Sequence, residues 1–132
     1  MFSRVRPVVG GILLFVLIMV SCAQAGEPII VKCSWYSIAS LKAEGSWKIW
    51  KGVMANGQRF SDDGLTCAAR MFPLGSELLI TNIHNGRSVK VTVTDKIGKR
   101  FAQTRIDISK RAFSQIADLK QGLVACKVER IK

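Results

Sequence analysis

Two aspartates are the residues best placed to do chemistry in this 132-residue chain. Asp95 follows an alternating run that ends at Thr94, where Asp95-Lys96 gives way to Ile97-Gly98, and Asp107 lies between Ile106 and Ile108, just before Ser109. A carboxyl group at a strand end has a rigid backbone behind it and open space ahead. That suits general acid or base work on a sugar. An aspartate flanked by isoleucines on a strand points to the face opposite them. Structural roles compete with the chemical ones: Asp107 could bind backbone amides near a helix start, and Asp95 could pair with Lys96 or Arg105. The aromatic residues Trp35, Tyr36, Trp47, Trp50 and Phe60 come next, because the C–H faces of sugars pack on π-systems. Trp47 and Trp50 sit among Lys48 and Lys51 in a polar stretch and form a candidate glycan platform, whereas Trp35 reads as core. His84 is the only histidine, and one histidine without neighbouring ligands makes no metal site. Neither a Ser/His or Cys/His pairing of the hydrolase type nor a Gly-rich phosphate loop can be assembled. No metal and no cofactor are expected.

The elements that must hold these residues are mostly strands. Residues 29–31 lead into the β-prone Cys33-Ser34-Trp35-Tyr36, and Leu78-Leu79-Ile80-Thr81 reads as a second strand ending at Asn82. Asn85-Gly86 is a strong hairpin signal, since both residues tolerate positive φ. After it, Val89, Val91 and Val93 alternate with Lys90, Thr92 and Thr94, the period of a half-buried strand. Residues 123–128 close the chain as another strand. One segment differs: Ser109 caps a helix through Ala112, Phe113, Ile116 and Ala117, with Gly122 ending the connection that follows. Residues 37–54, where Gly45 and Gly52 bracket Trp47 and Trp50, read as a long loop. Many short strands with one short helix predict a mainly β protein, a small barrel.

The chain start predicts export. Arg4 and Arg6 precede an almost uninterrupted apolar run at residues 8–20, and Ala23-Gln24-Ala25 supplies a small-x-small cleavage pattern. Thirteen apolar residues fall short of the roughly 20 that span a bilayer. Residues 1–25 are therefore expected to be a signal peptide and residues 26–132 a single domain. A second route also fits: Met19-Val20-Ser21-Cys22 resembles a lipobox, which would place a lipid anchor on Cys22. Either route leads to the periplasm, an outer-membrane association or secretion.

Setting Arg4 and Arg6 aside from 20 basic residues against 9 acidic ones leaves the mature segment at +9. Such a field concentrates anionic partners. For an exported protein these are peptidoglycan carboxylates or anionic lipid headgroups rather than nucleic acid. A segment this small gains from a covalent staple. An oxidising compartment would permit one disulfide among Cys33, Cys67 and Cys126, with the pairing left open.

An ordered series of motifs then stands out. It comprises Trp35-Tyr36, Met54-Ala55-Asn56-Gly57-Gln58-Arg59-Phe60, Leu65-Thr66-Cys67-Ala68-Ala69 and Phe72-Pro73-Leu74-Gly75-Ser76. Thr81-Asn82, Asn85-Gly86-Arg87-Ser88-Val89, Val93-Thr94-Asp95 and Arg105-Ile106-Asp107-Ile108-Ser109 complete it. The series resembles the rare lipoprotein A (RlpA) family across about residues 30–131. The resemblance implies a six-stranded double-psi β-barrel, related to expansins and to the barrel of some lytic transglycosylases. It also implies endolytic cleavage of peptidoglycan glycan strands that leaves a cyclised anhydro-sugar end and consumes no water.

The family's glutamate, histidine and aspartate fall on Gln58, Ala69 and Asp95, so only the aspartate is present. The usual Asp-Arg-Gly-Pro turn reads Asp95-Lys96-Ile97-Gly98. Glutamine exchanges no proton near neutral pH, and alanine has no functional group. The expectation is therefore a lytic transglycosylase with Asp95 as acid and base and Asp107 in support, holding substrate through Trp47, Trp50, Gln58 and Tyr36. Two alternatives stand beside it: a non-catalytic, expansin-like peptidoglycan-binding module, and an interaction partner of division or envelope proteins.

Overall fold

The computed structural model describes residues 26–132. The signal-peptide and Cys22 readings lie outside the described residues, among which no helix is long and apolar enough to cross a membrane.

Six strands carry the architecture: β1 (Ile29–Tyr36), β2 (Thr66–Ala68), β3 (Glu77–Asn82), β4 (Ser88–Asp95), β5 (Arg105–Ser109) and β6 (Leu123–Arg130). They close into a barrel in the order β1-β5-β2-β4-β3-β6. Two pairings, β1 with β5 and β2 with β4, are parallel, and the other four are antiparallel. Closure leaves no free sheet edge. It also explains why strands distant in sequence meet: β2, only three residues long, bridges the two halves between β4 and β5.

Period-two patterning sets which face is core. Leu78 and Ile80 on β3, Val89, Val91 and Val93 on β4, Ile106 and Ile108 on β5, and Val124, Cys126 and Val128 on β6 are all buried. Their alternating neighbours Lys90, Thr92 and Asp107 are not. One barrel end is plugged by α3 (Lys110–Ile116). The Ser109 hydroxyl accepts the Ala112 amide at 3.2 Å and so caps this helix, as the sequence predicts. Ala112, Phe113 and Ile116 are its buried face. Truncating the fully buried Phe113 to alanine would remove about 3–5 kcal/mol of stability.

Two local readings change. Residues 37–54, expected to be a loop, contain two short helices, α1 (Ile38–Ala43) and α2 (Ser46–Trp50), so the protein has more than one helix. The signal was present: Ser37 and Ser40 form a reciprocal capping box, each side chain accepting the other's backbone amide. The Ile38 amide adds a bond to Asp62 at 2.8 Å. At the β3–β4 hairpin, Gly86 takes positive φ (+73°) while Asn85 does not. Asn85 works instead through its side chain: with the buried Asn82, it donates to the Ile116 carbonyl at the end of α3, each at 2.9 Å. Those two bonds satisfy a terminal helix carbonyl and pin the turn to the plug.

Candidate functional site

Strand register lines up the chemically capable residues. Ala68 of β2 lies opposite Asp95 of β4 on one side and Asp107 of β5 on the other, and Asp107 in turn lies opposite Ser34 of β1. The β2–β4 register slips between Cys67 and Ala68, a bulge at the row itself. Bulges re-aim side chains next to sites. The row Asp95, Ala68, Asp107, Ser34 therefore runs across four adjacent strands, with a short side chain between the two carboxylates.

Asp95 is half-exposed. Its Oδ1 accepts the Ala55 amide at 3.0 Å and the Lys96 amide at 2.9 Å. Among the described residues, no hydrogen bond goes to Oδ2 and no cation forms an ion pair with the group. One oxygen is anchored and the other is left for a ligand. The anchoring turn is itself stitched to β4: the Asn56 amide reaches the Thr94 carbonyl at 3.1 Å, and the Thr94 hydroxyl reaches the Met54 sulfur at 3.1 Å. Gln58 is exposed on this turn and held by Asn56, whose side-chain amide donates to Oε1 at 3.1 Å. The amide of Ala69 donates to the Asp95 carbonyl at 3.0 Å. The fold thus brings Gln58, Ala69 and Asp95 to one place, although two of the three cannot move a proton.

Asp107 is in a different situation. The Ser34 hydroxyl donates to Oδ1, and Arg105 Nε donates to both the Ser34 hydroxyl (2.7 Å) and Oδ1 (3.3 Å). The Arg105 guanidinium also lies over the Phe101 ring, 4.9 Å from its centroid. Sequence reasoning offered Arg105 as a partner for Asp95, and the structure gives it to Asp107. The signal was strand periodicity: residues 105 and 107 share a face. Ser34, which completes the clamp, belongs to a strand 73 residues away, and nothing local marked it.

The aromatic residues divide. Tyr36 stacks on Phe60 with ring centroids 4.3 Å apart. Its hydroxyl is buried without a protein partner among the described residues. Burial first, then the charge of Asp95, pushes its pKa above the ordinary tyrosine value, so it stays a neutral donor. The Trp47 ring lies flat over Gly52, whose φ is +75°. A Cβ there would stand 2.6 Å from the ring carbons, which explains the glycine. The Lys42 ammonium sits 5.1 Å above the same ring. Trp50 is 67% exposed and Ile49 73%, an apolar tip on α2. Two backbone hydrogen bonds tie the tip to the turn: the Phe60 amide reaches the Gly52 carbonyl at 2.7 Å, and the Met54 amide reaches the Gln58 carbonyl at 2.8 Å. One turn therefore carries Trp47 at its base and Gln58 beside Asp95.

The three cysteines among the described residues, Cys33, Cys67 and Cys126, are free, buried thiols. Cys33 and Cys126 are in contact on adjacent strands. That hydrogen bond and burial push the Cys33 pKa up, and the same bond pulls that of Cys126 down. Cys67 is held protonated chiefly by burial.

An open cleft of about 590 Å³ adjoins Asp95, lined by residues 69–74 and Lys96. Across Met71 and Phe72 a second cleft of about 570 Å³ is lined by Glu27, Ile29, Ile30, Val31 and Gln103. Sequence reasoning named neither Arg70 nor Met71, and Phe72 only as the start of a motif, not as part of the ridge that divides the two.

An uncharacterized protein of Synechocystis sp. is 37% identical over 78 residues, covering 59% of this chain and 81% of that one. A probable endolytic peptidoglycan transglycosylase RlpA of Nostoc sp. is 31% identical over 100 residues, covering 75% of this chain and 26% of that one. The chain thus spans about a quarter of the length of that relative. Among solved structures, the Streptomyces papain inhibitor superposes with a TM-score of 0.63 at 21% identity, covering 83% of this chain and 98% of that one. A mutant Clavibacter michiganensis expansin in complex with cellohexaose superposes at 0.58 and 15% identity, covering 80% and 51%. These two likenesses are likenesses of fold. Residues 42–128, more than half of the chain, match the family described as lytic transglycolase, and the chain belongs to that family of double-psi β-barrel domains.

Proposed function

We propose that this protein is exported and acts on the glycan strands of peptidoglycan as an endolytic transglycosylase, with Asp95 as its acid and base. The observation that carries the reading is the state of Asp95. Its carboxylate is anchored through one oxygen by two backbone amides, keeps the other oxygen free of hydrogen bonds, forms no ion pair among the described residues, and is followed in the chain by Lys96, which lines a cleft. In the reaction, Asp95 protonates the bridging oxygen as the C1–O bond breaks. The carboxylate then takes the proton of the C6 hydroxyl as that oxygen bonds to C1. Proton and oxygen balance without water, and the new end is a 1,6-anhydro sugar. Gln58 supplies a hydrogen bond to the sugar, Tyr36 backs the site from beneath through its stack on Phe60, and Trp50 with Trp47 extends the contact along the strand. Asp107 supports the site by tying β1 to β5 next to Ala68.

Residues 1–25 are removed on export, or cleavage falls before Cys22 and that cysteine is lipidated, and the work is done in the envelope. Oxidation there would permit one bridge among Cys33, Cys67 and Cys126.

Replacement of the family's glutamate and histidine by Gln58 and Ala69 favours a second reading, a barrel that binds the glycan without cutting it. Digestion of purified sacculi in ¹⁸O-water separates the two. Anhydro-muramyl ends without ¹⁸O support the lyase, whereas no new ends at high protein concentration, with co-sedimentation retained, support the binder.

A further inference from the structure

The two clefts flanking the Met71–Phe72 ridge are nearly equal in size but opposite in charge. The one beside Asp95 carries Arg70 and Lys96 and no acid in its lining. The other carries Glu27 and no cation. Arg70 Nε donates to the Ile97 carbonyl at 2.5 Å, which fixes the base of the guanidinium. The two outer nitrogens are then left as a fork, the donor geometry that matches a carboxylate. Neither Arg70 nor Lys96 forms an ion pair among the described residues. Lys96 is attached to Asp95 by the chain itself, since its own amide bonds Oδ1. The rest of the lining is apolar: Met71, Phe72, Pro73 and the 40% exposed Leu74. Counting Asp95 against both cations leaves one net positive charge at this end of the site.

From this we infer that the cleft is a subsite for a carboxylate borne on a short apolar stalk, gripped by Arg70 and Lys96 while the stalk lies along Phe72 and Leu74. The inference rests on the glycan reading above, because it seats the carboxylate next to a strand lying at Asp95. A cell-wall glycan offers that chemistry in two places, the lactyl ether of the muramic sugar and the terminus of the peptide attached to it. A strand of plain N-acetylglucosamine offers it in neither. The subsite therefore gives the protein a means of telling cell-wall glycan from uncharged polysaccharide, a discrimination that the replaced Gln58 and Ala69 positions do not supply.

Backbone amide shifts of the full chain, titrated with three probes, test this directly. N-acetylmuramic acid carries the lactyl carboxylate, N-acetyl-D-alanyl-D-alanine carries a peptide carboxylate, and N-acetylglucosamine carries none. At least one carboxylate probe should move the amides of residues 70–72, Leu74 and Lys96, and N-acetylglucosamine should leave them in place. The tighter of the two identifies the source. Arg70→Gln and Lys96→Gln should each weaken that binding ~2–5-fold, the usual scale for one exposed charged contact. Lys96→Gln keeps the backbone bonds and so guards against a misfolded Arg70 variant. Equal shifts from N-acetylglucosamine, no shifts from either acid, or unchanged binding by Lys96→Gln would overturn the subsite. Failure of the lyase reading shows elsewhere, as absent anhydro ends in the sacculus digest with the carboxylate probes still binding.

Discussion

Asp95 and Asp107 flank the same alanine on adjoining strands, yet their surroundings give them different work. Asp107 faces an arginine two residues earlier on its own strand and a serine across the parallel pair, and it spends its oxygen on both. Asp95 meets only backbone amides from a turn, which orient one oxygen and leave the other open. Residue type was alike, and the neighbours decided. A carboxylate paired with a guanidinium ties strands together, whereas one held by amides at a cleft edge is available to a ligand. Identical chemistry in sequence thus becomes an ion pair in one place and an amide-held carboxylate without a cation partner in the other.

The comparison is open to attack at several strengths. The largest effect is expected at Asp95→Asn. Removing the proton-transfer group should lower release of anhydro ends at least ~100-fold, with the melting temperature essentially unchanged. A parallel fall in melting temperature would mean that Asp95 is structural too. Next comes Arg105→Ala, which strands Asp107 and Ser34 and should cost about 1–2 kcal/mol in denaturant unfolding. The lower end is favoured because both charged side chains are about 30% exposed. An unchanged midpoint would dissolve the contrast between the two aspartates.

Alkaline pH gives a third, related probe. Burial, and then the Asp95 charge, raises the folded-state pKa of both Cys67 and Tyr36. Unfolded thiols and phenols ionise first, from about pH 8.5 and about pH 10 respectively. Stability is therefore complete below those values and falls above them, at up to about 1.4 kcal/mol per pH unit for each group. Unfolding midpoints measured from pH 8 to 11 should decline in two stages. Asp95→Asn should soften that decline only slightly, because burial is the larger cause. Smallest is Trp50→Ala, which should weaken co-sedimentation with sacculi ~3–5-fold without destabilising the barrel, the loss of one exposed aromatic contact. Trp47→Ala should instead lower stability, since its ring covers Gly52.

How legible this was depends on distance along the chain. The alternation of Val89, Val91 and Val93, the Ser109 cap and the inward isoleucines around Asp107 are local patterns, and each appears where its period places it. The ordered motifs carried the six-stranded barrel, which strand periodicity alone could only narrow to a small β barrel. The Ser37–Ser40 capping box was equally local and was passed over because Gly45, Gly52 and two tryptophans suggested irregularity. What sequence did not reveal depends on closure of the barrel. Ser34 meets Asp107, Ala55 meets Asp95, and Arg70 meets Ile97 only once distant strands have found their register. Partnerships of that kind separated the two aspartates, so their assignment awaited coordinates while their candidacy did not.

The most direct test places Asp95→Asn and Asp107→Asn beside the unaltered protein on one preparation of sacculi, with anhydro-muramyl ends counted over time. The account predicts release by the unaltered protein, reduced but measurable release by Asp107→Asn, and none by Asp95→Asn. Release by Asp95→Asn equal to that of the unaltered protein would contradict it.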